Sequence, residues 1–179
     1  MPRSKMRIVI VLMPLLSVLA TAQAPPPAKP GAELRRLEAF AGSWTTVGTT
    51  QAGHQSGAGK LVTNETFEWM PGGFFLVHRW DSQIGSAAVN GLEVIGFDSR
   101  TKSYASRFFD STGTSGTLRA TPQGNAWTWA GEADLFGKPI KQRCTMILVN
   151  PDTFTSKCEY SPDGLKWLTA LESRSTRVK

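Results

Sequence analysis

Glu33-Leu34-Arg35-Arg36-Leu37-Glu38-Ala39-Phe40 runs directly into Ala41-Gly42-Ser43-Trp44, and this junction decides the fold. Leu34, Leu37 and Phe40 recur at helical spacing, whereas almost everything after Trp44 alternates with the period of a strand. Gly42 allows a sharp backbone turn that other residues resist. The indole of Trp44, two positions on, is suited to plug the base of whatever the strands enclose. The expectation is therefore one short N-terminal helix followed by a sheet that starts at the plug and curls around it.

Upstream of the junction, Arg3, Lys5 and Arg7 precede an apolar run from Ile8 to Leu19. Ala22-Gln23-Ala24 then has the small-x-small form of a cleavage site, so residues 1–24 read as a secretory signal peptide cleaved near Ala24. The run is too short for a membrane span. Pro25-Pro26-Pro27 and Pro30 make residues 25–31 an extended linker, which leaves residues 32–179 as one domain. The formal charge of +6 includes those three leader cations, so the exported part carries only +3. So small an excess makes no case for nucleic acid as a partner. The localisation expected is periplasmic or secreted, and an oxidising compartment would join Cys144 to Cys158.

Hairpins can be tested because residues paired across one have numbers that sum to a constant, and opposed side chains share a face. Around Asn150-Pro151-Asp152, a sum of 302 opposes Cys144 to Cys158, Leu148 to Phe154, Met146 to Ser156 and Arg143 to Glu159. After Ser161-Pro162-Asp163-Gly164, Trp167 is expected opposite Cys158 and Lys166 opposite Glu159. Around Met70-Pro71-Gly72-Gly73, a sum of 143 pairs Trp69 with Phe74, Phe67 with Leu76, Thr63 with Trp80 and Glu65 with His78, all facing inward. A sum of 200 pairs Leu92 with Phe108, Gly96 with Tyr104 and Glu93 with Arg107, the last as an outward pair. A sum of 247 pairs Leu118 with Trp129 and Ala120 with Trp127. With strands near Ser43 to Thr50 and around Gly137-Lys138-Pro139, the chain is all-β, about ten antiparallel strands in meander order. An up-and-down barrel removes both exposed edges and is favoured over a flat sheet or two-layer sandwich. The polar alternate face lacks the apolar belt of a transmembrane barrel.

These residues carry a resemblance. Leu37 through Trp44, Pro71-Gly72-Gly73-Phe74-Phe75-Leu76, Val94-Ile95-Gly96-Phe97-Asp98, Tyr104 and Asp110-Ser111-Thr112-Gly113 are similar to the bacterial family of domain of unknown function 1579, of calycin (lipocalin-like) type. The resemblance implies a closed antiparallel barrel with an internal cavity, and no activity. Haem-binding barrels of the nitrobindin type share this look but use a histidine late in the chain. Nothing after His78 is histidine, so no haem and no other cofactor is expected.

Two histidines, 54 and 78, and two paired cysteines leave no metal-ligand spacing. Gly53-His54-Gln55-Ser56-Gly57 is not a nucleophile elbow, and Gly57-Ala58-Gly59-Lys60 lacks the spacing of a phosphate loop. Glu65 and His78 remain the sharpest pair: a carboxylate and an imidazole in an apolar lumen can satisfy each other, orient a ligand, or exchange a proton. The chain has 6 tryptophans and 9 phenylalanines, more than a small core needs. Phe67, Trp69, Phe74, Leu76, Trp80, Phe108, Trp127 and Trp129 fall on inward faces, with Gly42 and Trp44 structural at the base. An aromatic wall with few polar groups is how small-molecule sites look. The expected function is binding of a small, mostly apolar molecule, with no catalytic residue assigned. The rivals are an isomerase or hydrolase using Glu65 and His78, and a cavity-free module that docks another envelope protein.

Overall fold

In the computed structural model, which describes residues 29–51, 57–135 and 137–179, Leu34, Leu37 and Phe40 are all buried on one side of a short helical segment. That segment is α1 (Ala32–Arg35) continued by a single 3-10 stretch, Arg36–Ala39. Ten strands follow: β1 (Gly42–Thr50), β2 (Gly59–Trp69), β3 (Phe75–Ile84), β4 (Ala87–Asp98), β5 (Ser103–Asp110), β6 (Ser115–Ala120), β7 (Ala126–Leu135), β8 (Lys138–Asn150), β9 (Thr153–Ser161) and β10 (Leu168–Arg177). Each pairs antiparallel with its neighbours in sequence, and β1 pairs with β10 from Trp44 opposite Arg177 to Thr50 opposite Leu171, closing the barrel. Closure leaves no strand edge to aggregate. The proposed signal peptide lies outside the described residues, as does most of the proline-rich linker; among the described residues no helix is long and apolar enough to cross a membrane.

One end of the barrel is filled. Trp44 is 1% exposed and its Nε1–H donates to the Phe40 carbonyl at 2.7 Å, so the plug is tied to the helical segment that covers it. Phe40 meets Trp127 edge-on at 5.4 Å and Phe154 at 5.8 Å, and Tyr104 donates its hydroxyl hydrogen to the Glu33 carbonyl at 2.6 Å. Gly42 has φ +119°, and a β-carbon there would lie 2.7 Å from Arg177 Nη1. The missing side chain thus lets Arg177 reach the Ala39 and Ala41 carbonyls and stack over Trp44 at 4.1 Å.

Strand registers meet the expectations unevenly. Between β8 and β9 every expected pair is found, including Cys144 opposite Cys158, and the disulfide is formed. Between β2 and β3 the sum is 145, so Phe67 faces His78, Glu65 faces Trp80, Trp69 faces Leu76 and Thr63 faces Ser82. The turn takes in Phe74, with Met70 N–H donating to the Phe75 carbonyl. Between β6 and β7 the sum is 249, with Leu118 opposite Gly131 and Ala120 opposite Trp129. Both are two-residue corrections, which keep the side chains that remain in the strands on their expected faces, while Phe74 passes into the turn. Between β4 and β5 the sum is 201: Glu93 faces Phe108, Leu92 faces Phe109, Phe97 faces Tyr104 and Val94 faces Arg107. Asp98 Oδ1 accepts the N–H groups of Arg100 and Thr101 and opens the turn by one position. That odd correction turns Glu93 inward, away from Arg107, which stacks outside on Phe109 at 5.2 Å. Across β9 and β10, Leu171 rather than Trp167 opposes Cys158, and Thr169 rather than Lys166 opposes Glu159. Asp163 Oδ1 holds the N–H groups of Leu165 and Lys166 in a wider loop, and Trp167 lies off the strand against Arg143 at 4.2 Å.

Candidate functional site

Above the packed base the barrel is hollow. The cavity measures about 300 Å3 and is lined by inward faces of its strands, with Leu61, Ile84, Val89 and Leu171 as an apolar collar at the end away from Trp44. Glu65, His78, Phe67, Trp80, Phe108 and Trp129 line it, as the alternation expects. The other four expected wall residues sit elsewhere. Leu76 and Trp127 are buried in the packed end. Trp69 donates its Nε1–H to Glu38 at 2.7 Å and so clamps β2 to the helical segment. Phe74 is 36% exposed, because the wider turn has taken it off the strand. Trp80 can lie along the wall because its partner across the sheet is Gly91, where a β-carbon would come within 1.9 Å of the indole.

A belt of polar side chains crosses five consecutive strands at one level. His78 on β3 sits between two carboxylates: Nε2 is 2.9 Å from Glu65 Oε2 on β2, and Nδ1 is 3.2 Å from Glu93 Oε2 on β4. Glu65 Oε1 accepts from Thr46 on β1, and Ser175 on β10 lies 3.4 Å from the same oxygen and bonds Thr46. The imidazole stacks on Phe67 at 3.9 Å and 5°, as direct cross-strand partners can.

Electrostatics follow from this geometry. Burial alone would push the imidazole pKa down, but the hydrogen bonds and charges of Glu65 and Glu93 outweigh it and raise His78 to about 9. Burial would likewise raise the Glu65 carboxyl, yet His78, Thr46 and Ser175 hold it below its ordinary value. At neutral pH the ring is an imidazolium with both N–H groups given to carboxylates. A protonated, doubly engaged ring cannot accept a proton as a general base. Glu93 was missed in the sequence because a one-residue slip hides it; the cue was Asp98, whose carboxylate shapes the turn that sets the register. Thr46 and Ser175 carried no cue, since their contact needs the closure of β1 on β10. Among the described residues no group of three or more His, Cys, Asp or Glu has metal-holding geometry.

Residues 29–177 match the model of a family described as protein of unknown function (DUF1579). The chain belongs to this family. No curated protein matches it in sequence. Among solved structures, Rv2717c from M. tuberculosis is similar over 83% of this chain and 99% of its own, at TM-score 0.63 and 12% identity. The S-type phycobiliprotein lyase CPES from Guillardia theta is similar over 81% of this chain and 92% of its own, at TM-score 0.58 and 11% identity. At such identities the likeness is one of barrel fold.

Proposed function

We propose that this family member is an exported barrel that binds a small, mostly apolar molecule in its lumen and leaves it chemically unchanged. The observation that carries the reading is the contrast within one barrel: one end packed solid with aromatics, the other enclosing about 300 Å3 walled mainly by apolar side chains. Packing so tight at one end makes an unfilled lumen a feature of design, and its size falls at the lower end of small-molecule sites, roughly 300–1,000 Å3. Such a cavity disfavours the cavity-free docking module. One of the two similar barrels is named a lyase, so the fold admits enzymes. Here the imidazolium held by two carboxylates favours an orienting role for Glu65 and His78 over proton transfer. The disulfide supports an oxidising compartment, and the pattern of residues 1–24 supports export.

Native mass spectrometry of gently purified protein tests the proposal: a retained small molecule is expected, and its loss in Ser156→Phe, which places a ring in the lumen, locates it. An apolar dye whose binding is equal in the wild type and in folded Ser156→Phe would refute lumen binding.

A further inference from the structure

The charges around the lumen run against those of the whole chain. Lys and Arg total 20 against 14 Asp and Glu, yet the charged residues lining the cavity are Glu65, Glu93, Asp110, Glu159 and His78, with no Lys or Arg among them. Glu159 is paired with Arg143 at 2.7 Å, and Asp110 accepts from Thr112 and Thr114 in the turn at the mouth. The central Glu65–His78–Glu93 group carries a formal charge of −1.

The hydrogen bonds of that group decide what a ligand meets. Both ring nitrogens of His78 are engaged, Glu65 Oε2 takes one of them, and Glu65 Oε1 takes the hydroxyls of Thr46 and Ser175. Glu93 Oε2 takes the other. Glu93 Oε1 accepts no hydrogen bond from any described residue. The charged cluster therefore presents an unfilled acceptor and no spare donor. A second unfilled atom lies on the inward face of the neighbouring strand. Ser106 is 3% exposed, its Oγ has no partner among the described residues, and it sits between Ile95 and Leu118, both of which line the cavity.

We infer that the lumen takes an apolar molecule ending in a protonated amine, with the ammonium donating to Glu93 Oε1; this rests on the lumen-binding reading above. An ammonium there completes a charge-assisted hydrogen bond and neutralises the cluster. A carboxylate in the same place meets the net negative charge of the cluster at low dielectric. The lumen thus discriminates by the sign of the polar end, where the apolar wall is indifferent to it.

Octylamine, octanol and octanoate share one tail and separate the two readings. Their affinities at pH 7 are measured by calorimetry, with the fluorescence of the lumen tryptophans Trp80 and Trp129 as a second signal. Octylamine is expected to bind at least about tenfold tighter than octanoate, with octanol between them, the scale of one charge-assisted hydrogen bond. Glu93→Gln is expected to lower the octylamine-to-octanol affinity ratio about tenfold. Octanoate binding as tightly as octylamine overturns the amine inference and leaves lumen binding standing. An amine preference that survives intact in Glu93→Gln overturns the assignment to Glu93. If none of the three binds, lumen binding falls and this inference with it. The wild-type comparison stands even if the variant does not fold.

Discussion

Raising the pH should unlock the polar belt before it touches anything else in the core. His78 moves from an ordinary 6.5 to about 9 in the folded barrel, so folding binds its proton more tightly than the unfolded chain does. A raised pKa contributes stability that is fully present below 6.5 and is lost as the pH climbs through about 9. The gap corresponds to at most about 3 kcal/mol at ~1.4 kcal/mol per tenfold. The lowered Glu65 pKa reports the same ion pair from its other side, so the two are not added. For a domain of this size ~1 kcal/mol moves Tm by roughly 2–4 °C, giving about 6–12 °C in all. The assay is thermal unfolding by near-ultraviolet circular dichroism at pH 6.0 and 9.5, with His78→Gln beside the wild type. Gln is neutral at both pH values, so the variant should start lower and lose little more. The difference between the two proteins isolates His78 from His54, which falls outside the described residues. A wild-type loss below about 2 °C, or an equal loss in His78→Gln, would refute the reasoning.

Two further expectations concern the wall. Gly91→Ala forces a β-carbon into the indole of Trp80 and should cost at least about 1–3 kcal/mol in urea unfolding, with altered tryptophan emission as the ring is displaced. Replacing both Cys144 and Cys158 by Ala should cost about 3 kcal/mol, the chain-entropy value for a loop of this length, and reduction of the wild type should reproduce that loss.

How far the fold could be read beforehand depended on how many independent constraints met in one hairpin. Between β8 and β9 a cysteine pair, an apolar contact and the Arg143–Glu159 pair all demanded one register, and that register is found. The hairpins β2–β3 and β6–β7 offered only alternation, which is blind to a slip of two because the faces are unchanged. Inward residues such as Phe67, His78 and Trp129 were therefore legible while their partners were not. Between β4 and β5 the slip was odd, and Glu93 was misplaced as an outward partner of Arg107. Side-chain bonding by Asp98, a detail of turn chemistry, outweighed the pairing that charge suggested. The hollow itself left no trace in the alternation, since a side chain facing empty space and one facing a neighbour have the same periodicity.

The seam between β1 and β10 gives the chain a schedule. Hairpins can zip locally, but Glu65 acquires Thr46 and Ser175 together only when the last strand docks beside the first. Long-range pairings of this kind form late and slowly. A ribosome still holding the last strand therefore holds walls without a vessel, and the chamber comes into being in the final act of assembly.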